Sequence, residues 1–424
     1  MPDRVILAPT KAVFELPKSK TMSEQTSTTA ALDSPRAWLV VVGAFFVAFV
    51  GFGVTYTFGV FLRPIGTSFS ASHATMTTLF STLSVLSFFL APLTGELADR
   101  IGPRYVIAAG ALLMGAGLLI SARVHAFPLL FVTYGGLIGA AVACLYVPAI
   151  AAVGEWFKSY RDIALGIAIS GIGCGTLVAA PLAAHLTSHL GWRTAFEVFG
   201  WGSTAILLAC AALITQPPRL REKSSANVLA MMRTKTFLHL YVALILCGAA
   251  IYIAFVFITP IAMDFRATHV AGAALIGYIG AASVVGRLGL NALAPRFGLM
   301  AMYKASYWIL LASCAFWLVT NSYPMLVIFS IVMGVGYGGI AAMTPAVAAQ
   351  RFGIEGLGEL LGFLMTAFGV ACLVGPPAAG IMADTTHDFR WPIFIAAASA
   401  VMALLAVSTV GTTRGYVATE AQAD

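Results

Sequence analysis

The sequence predicts an all-α membrane protein of twelve transmembrane helices in two pseudo-symmetric six-helix bundles. Three observations carry this. Of the 424 residues, 60% are apolar and only 10% are Asp, Glu, Lys or Arg, where a soluble domain carries about 25% charged residues. Twelve apolar runs approach or exceed the roughly 20 helical residues that cross hydrocarbon. Phrases of the first half also return in the second at a nearly constant offset. Surface-to-volume scaling does not allow so many helices to be internal in a soluble protein of this size. A closed β-barrel is disfavoured because the runs do not alternate apolar and polar residues at ten-residue length.

Residues 1–36 precede the first run and include Arg4, Lys11, Lys18, Lys20 and Arg36. A disordered cytoplasmic leader is expected, since no short apolar segment with a cleavage site sets off a signal peptide. Met22 is an alternative start. The runs are 38–62, 74–97, 105–121, 127–154, 163–186, 194–214, 237–263, 270–293, 301–319, 323–349, 360–382 and 391–410. The expected organisation is an N-terminal bundle over 37–215, a polar central loop over 216–236, a C-terminal bundle over 237–410 and a cytoplasmic tail over 411–424. Gly and Pro inside the runs are ordinary for membrane helices, where small residues allow close approach.

The cations set the expected orientation. With the amino terminus inside, inner loops hold Arg100, Arg104, Lys158, Arg161, Arg219, Arg221, Lys223, Arg233, Lys235, Arg296, Lys304 and Arg351. Outer loops hold only Arg63, Arg123, Arg193, Arg266 and Arg390. The bias places both termini in the cytoplasm of a multi-pass inner-membrane protein. It also accounts for the net charge of +7 without a nucleic-acid partner; the lipid bilayer is the partner implied. All six cysteines lie in apolar runs with no metal-knuckle spacing, so they read as small packing residues, and no metal or cofactor is implied. Neither an ATP-binding GxxxxGK[ST] loop nor a Ser, His and Asp arrangement for nucleophilic catalysis is present. An enzyme or ATP-driven pump is not expected.

The repeat is read from three anchor pairs, Gly102 with Gly298, Phe157 with Phe352 and Pro181 with Pro376, at offsets of 195 or 196 residues. Parallel duplication of six-helix units is an arrangement of secondary transporters, with substrate bound at the midplane between halves.

Arg287 lies deep in the eighth run. An intramembrane arginine normally faces the bundle interior or a water-filled cavity, and its planar fork suits a carboxylate. It serves either as partner of a buried acid or as clamp for an anionic substrate; acids within the runs are scarce. Tyr146 stands two residues before Pro148, whose missing donor frees a local carbonyl; its hydroxyl suits a carboxylate or an interhelical bond. Tyr56, Tyr278 and Ser283 are weaker substrate-binding candidates, Ser283 being one helical turn from Arg287.

The segment GELADRIGPR at 95–104 supplies Gly95, Asp99, Arg100, Gly102 and Arg104 in the order and spacing of the major facilitator superfamily motif, which the chain resembles over residues 38–410. Gly95 permits close helix contact, and Asp99 can pair with a neighbouring cation to latch one conformation, or else the segment is a solvated turn. The second half carries Pro295 where the acid would stand, so any latch is asymmetric. WFKSYRDIALGIAISGIGCG at 156–175 and GPPAAG at 375–380 are similar to the monocarboxylate transporter family and its bacterial oxalate/formate antiporter relatives. The resemblance implies a substrate-binding role for Arg287. It departs where Ser283 replaces the family's aspartate and where the first run reads Tyr56, Thr57, Phe58, Gly59, Val60 without the mammalian lysine. The implied function is alternating-access transport of a small organic anion, with a co-transported proton or a counter-anion, by a monomer. A major facilitator exporter of drugs or other metabolites is the alternative.

Overall fold

The computed structural model describes residues 33–157, 160–215, 228–353 and 357–410. The leader through residue 32, Lys158, Arg219, Arg221, Lys223 and the tail over 411–424 lie outside the described residues. Among those described, the chain is helical throughout, with no strand.

The first span is Pro35–Phe69, and the second is a pair, His73–Phe89 and Ala91–Ile101, bent by 42°. Pro92 in the first turn after the bend has no amide hydrogen to continue the helical ladder. The third and fourth spans are Pro103–Arg123 and Phe127–Trp156. One continuous helix of 53 residues, Arg161–Leu213, follows; straight, it would be about 80 Å long, against a hydrocarbon layer of about 30 Å. Gly191, at φ 84°, breaks it into the fifth and sixth spans. Lys235–Asp264, His269–Phe297, Leu299–Leu318, Tyr323–Phe352, Leu357–Thr386 and Arg390–Thr409 are the seventh to twelfth. The run count of twelve is thereby reached, with the fifth and sixth joined through a hinge. A short helix, Val228–Met232, lies within the expected central loop, and the seventh span begins at Lys235. Leu112, Trp201, Ile328 and Leu405 are exposed apolar side chains that suit lipid contact.

The offset of 196 residues recurs in local geometry. Ser72 and Thr268 each cap a helix by accepting an amide hydrogen three residues on. The preceding Ser70 and Arg266 are left-handed at φ 51° and 60°, and Gly102 and Gly298 turn adjoining spans at φ 104° and 93°. Pro64 and Pro260 occupy equivalent places in the first and seventh spans.

The face where the first span begins and the twelfth ends is the terminal face; the other is the distal face. Bonds between halves gather toward the distal face. Arg63 donates to Asp264 at 2.5 Å and to the Pro260 carbonyl at 3.0 Å. Asp384 on the eleventh span accepts the His73 and Ala74 amides at 3.0 and 2.7 Å and contacts His73 Nδ1 at 2.9 Å. His269 Nε2 lies 2.8 Å from the Val60 carbonyl. A glycine pair also brings the two halves into backbone contact. A Cβ on Gly173 or Gly280 would meet the other's carbonyl at 2.5 or 2.6 Å, whereas Gly166, Gly289 and Gly362, nearer the terminal face, have nothing within 4 Å. The halves are thus closed against each other distally.

Two substitutions should open the distal face. Gly280→Val inserts atoms where the fifth and eighth backbones touch, and Asp384→Ala removes an acceptor of charged hydrogen bonds worth about 2 kcal/mol. In a cysteine-free background, the spin-label distance between Ser70→Cys and His387→Cys should lengthen or broaden with either change. An unaltered distance distribution would show that the closure does not depend on these contacts.

Candidate functional site

The eighth span brings Arg287 into the interior between the halves, ten residues before Phe297; Tyr146 stands ten residues before Trp156 on the fourth span. By helical rise each lies about 15 Å from its terminal-face end. Arg287 is only 4% exposed, and a central charge costs about 3 kcal/mol on insertion scales. Its Nη1 donates to the Ile169 carbonyl of the fifth span at 2.9 Å, across the seam. Its guanidinium carbon lies 5.4 Å from the centroid of the Tyr337 ring, a cation–π arrangement. Nε and Nη2 are buried without a hydrogen-bond partner. Those two atoms form one side-on edge of the guanidinium, the edge that accommodates a carboxylate through two parallel bonds. No acid pairs with Arg287 among the described residues.

Further tyrosines are linked to Arg287 directly or through Tyr337. Tyr146 lies within electrostatic reach of Arg287, its ring held edge-on by Phe52 at 4.9 Å. Tyr56, at the break between the two helices of the first span, stacks on Phe255 at 4.4 Å, and its hydroxyl is 3.3 Å from that of Tyr337. Tyr252 adds a ring 6.3 Å from Tyr56. Tyr252 and Tyr337 were not singled out from the sequence. The signal for Tyr252 was present, since it stands 196 residues after Tyr56 and is its counterpart in the repeat.

Two candidates stand apart from this cluster. Tyr278 precedes Arg287 by nine residues, half a rotation around the helix at 3.6 residues per turn; it is 37% exposed and nearer Tyr323. Ser283 shares the Arg287 face but is fully buried, its hydroxyl donating to the Gly280 carbonyl at 2.7 Å. Gly338 packs so closely that a Cβ there would meet the Ser283 carbonyl at 2.0 Å. Ser283 therefore builds helix contact.

In the motif segment, Gly95 faces Val147, to which a Cβ would come within 3.3 Å. Asp99 is half-buried at the terminal-face end of the second span, and Arg104 is exposed at the start of the third. Arg100 pairs with Glu96, one turn back on its own helix. Both side chains are largely exposed, and such pairs contribute little to stability. Gly102 makes the positive-φ turn. Among the described residues no cluster of His, Cys, Asp or Glu fits a metal ion.

Tyr337→Leu should lower the melting temperature of the detergent-solubilised protein, because it strips the ring from a desolvated cation, an interaction worth about 2 kcal/mol. Tyr337→Phe, which keeps the ring, should lower it less. Equal losses would assign the effect to the hydroxyl instead.

The family model described as Major Facilitator Superfamily matches residues 44–307 and 292–422. The chain is 26% identical over 391 residues to monocarboxylate transporter 12 of Xenopus laevis, covering 84% of this chain and 85% of that one. It is 26% identical over 396 residues to monocarboxylate transporter 3 of Rattus norvegicus, at 89% and 80% coverage. Among solved structures, a bacterial homolog of the human lysosomal transporter Spinster, in an inward-facing and occupied conformation, superposes with TM-score 0.72 at 15% identity, covering 89% and 97% of the two chains. The chain belongs to the major facilitator superfamily and is a multi-pass membrane transporter, not an enzyme.

Proposed function

We propose that the protein is a secondary active carrier of a small carboxylate, working by alternating access with both termini in the cytoplasm of the inner membrane. The observation that carries this is the buried, unpartnered Nε and Nη2 edge of Arg287. A guanidinium that donates to one carbonyl across the seam, rests over the Tyr337 ring and has two further donors unpaired is poised for an anion. The relatives found are named monocarboxylate transporters, in keeping with such a ligand.

The carboxylate docks side-on against Arg287, with Tyr146 in position to donate its hydroxyl. Arg287 belongs to the C-terminal half and Tyr146 to the N-terminal half, so the bound anion joins the two. Coupling follows if the loaded and empty forms favour the two open states differently, since a ligand that binds both equally shifts nothing. A proton carried with the substrate, or a counter-anion on the return, supplies the coupling. Cation-rich terminal-face loops, including Arg100, Arg104 and Arg296, support the cytoplasmic orientation.

The test is uptake of labelled lactate, pyruvate, acetate, formate and oxalate into proteoliposomes, with an inward proton gradient or with internal anion. Arg287→Lys, which keeps the charge and loses the fork, should lower kcat/KM by roughly 10- to 100-fold, the worth of a charged hydrogen bond. The gradient required separates symport from exchange. Carboxylate uptake indifferent to the substitution, or no uptake at all, would sink the proposal.

A further inference from the structure

A small cavity lies between the halves, with room for about one water molecule. The first, second and fourth spans supply seven of its eight lining residues, among them Phe52, Tyr56, Ser84 and Phe88; the eighth is Tyr252, from the seventh span. The cavity is thus a recess of the N-terminal half stopped by one side chain of the other half. Two of its hydroxyls are engaged by backbone carbonyls. Thr55 donates to the Gly51 carbonyl at 2.8 Å, and Ser87 to the Leu83 and Gly139 carbonyls at 2.8 and 3.2 Å. The wall left to a ligand is mainly carbon.

The recess adjoins the Arg287 cluster through two shared residues. Phe52 lines it and holds the Tyr146 ring, and Tyr56 lines it and meets the Tyr337 hydroxyl. Tyr252 is wedged in place, 3% exposed, with the rings of Phe80 and Phe368 at 6.0 and 6.4 Å.

We propose that this recess receives the hydrocarbon tail of an acid whose carboxylate is held on Arg287, and that Tyr252 is the specificity-determining residue that limits tail length. The assignment rests on the carboxylate-carrier function proposed above and adds the part of the substrate that Arg287 does not touch. Because Tyr252 and the recess belong to different halves, tail space changes as the halves move, and a long tail obstructs the distally closed state.

The experiment is competition by straight-chain acids from acetate to octanoate against a labelled short acid in proteoliposomes. The unaltered protein should favour short chains. Tyr252→Ala should raise the octanoate-to-acetate preference by about tenfold or more, the discrimination a few methylenes give in an apolar pocket. Tyr252→Phe should leave the profile unchanged, and Tyr252→Leu, nearer in volume, should give an intermediate shift and guards against misfolding of the alanine variant. An unshifted profile in folded Tyr252→Ala and Tyr252→Leu overturns the tail recess while leaving Arg287 as the anion clamp. Failure of the unaltered protein to carry any acid overturns the carboxylate function and this assignment together.

Discussion

The backbone of the fifth span touches that of the eighth at Gly173 and Gly280, and the setting of Arg287 follows from that contact. No side chain separates the helices there, so the Ile169 carbonyl, one turn along the fifth span, comes within 2.9 Å of Nη1. A carbonyl from the opposite half thereby holds the guanidinium, leaving the other edge toward the interior. Packing in membranes depends on close van der Waals fit, because lipid tails are as apolar as the helices themselves. The glycine contact thus serves both cohesion and the placement of a charge.

Much of the architecture was legible because hydrocarbon imposes a length that a sequence must display. The runs appeared as apolar stretches, and the repeat appeared as a fixed offset that the structure repeats in the Ser72 and Thr268 caps and the Gly102 and Gly298 turns. The hinge at Gly191 was less visible, since a glycine between two apolar runs reads equally as a loop. The site was legible in part. Arg287 stands out in any reading because its charge is isolated at depth, and Tyr146 because a proline bends its helix. Tyr278 precedes Arg287 closely in sequence, but the half rotation that nine residues bring turns it to another side of the helix. Tyr337 carries no local mark at all; its place under the guanidinium is set by the packing of the tenth span against the eighth.

The two halves share a repeat but not a division of labour. Tyr56 and Tyr252 are counterparts, yet one stacks on Phe255 near the Arg287 cluster while the other stops a recess in the opposite half. His73 and His269 are likewise counterparts, yet one contacts a carboxylate and the other a backbone carbonyl. A duplicated frame supplies equivalent positions, and single substitutions then assign them different partners.

The solitary cation has an electrical consequence. Arg287 is the only lysine or arginine among the described residues set so far from both ends of its span, and none of the acids described pairs with it. On the proposed carboxylate-carrier function, the empty protein holds a positive charge inside the low-dielectric layer, and one bound anion cancels that charge in place. A transmembrane voltage acts on charge displaced along the field, at about 2.3 kcal/mol per elementary charge per 100 mV for full traversal. Whatever fraction of that path the guanidinium covers as the halves rock, the resting membrane voltage weighs on the unloaded stroke and leaves the neutralised one nearly untouched.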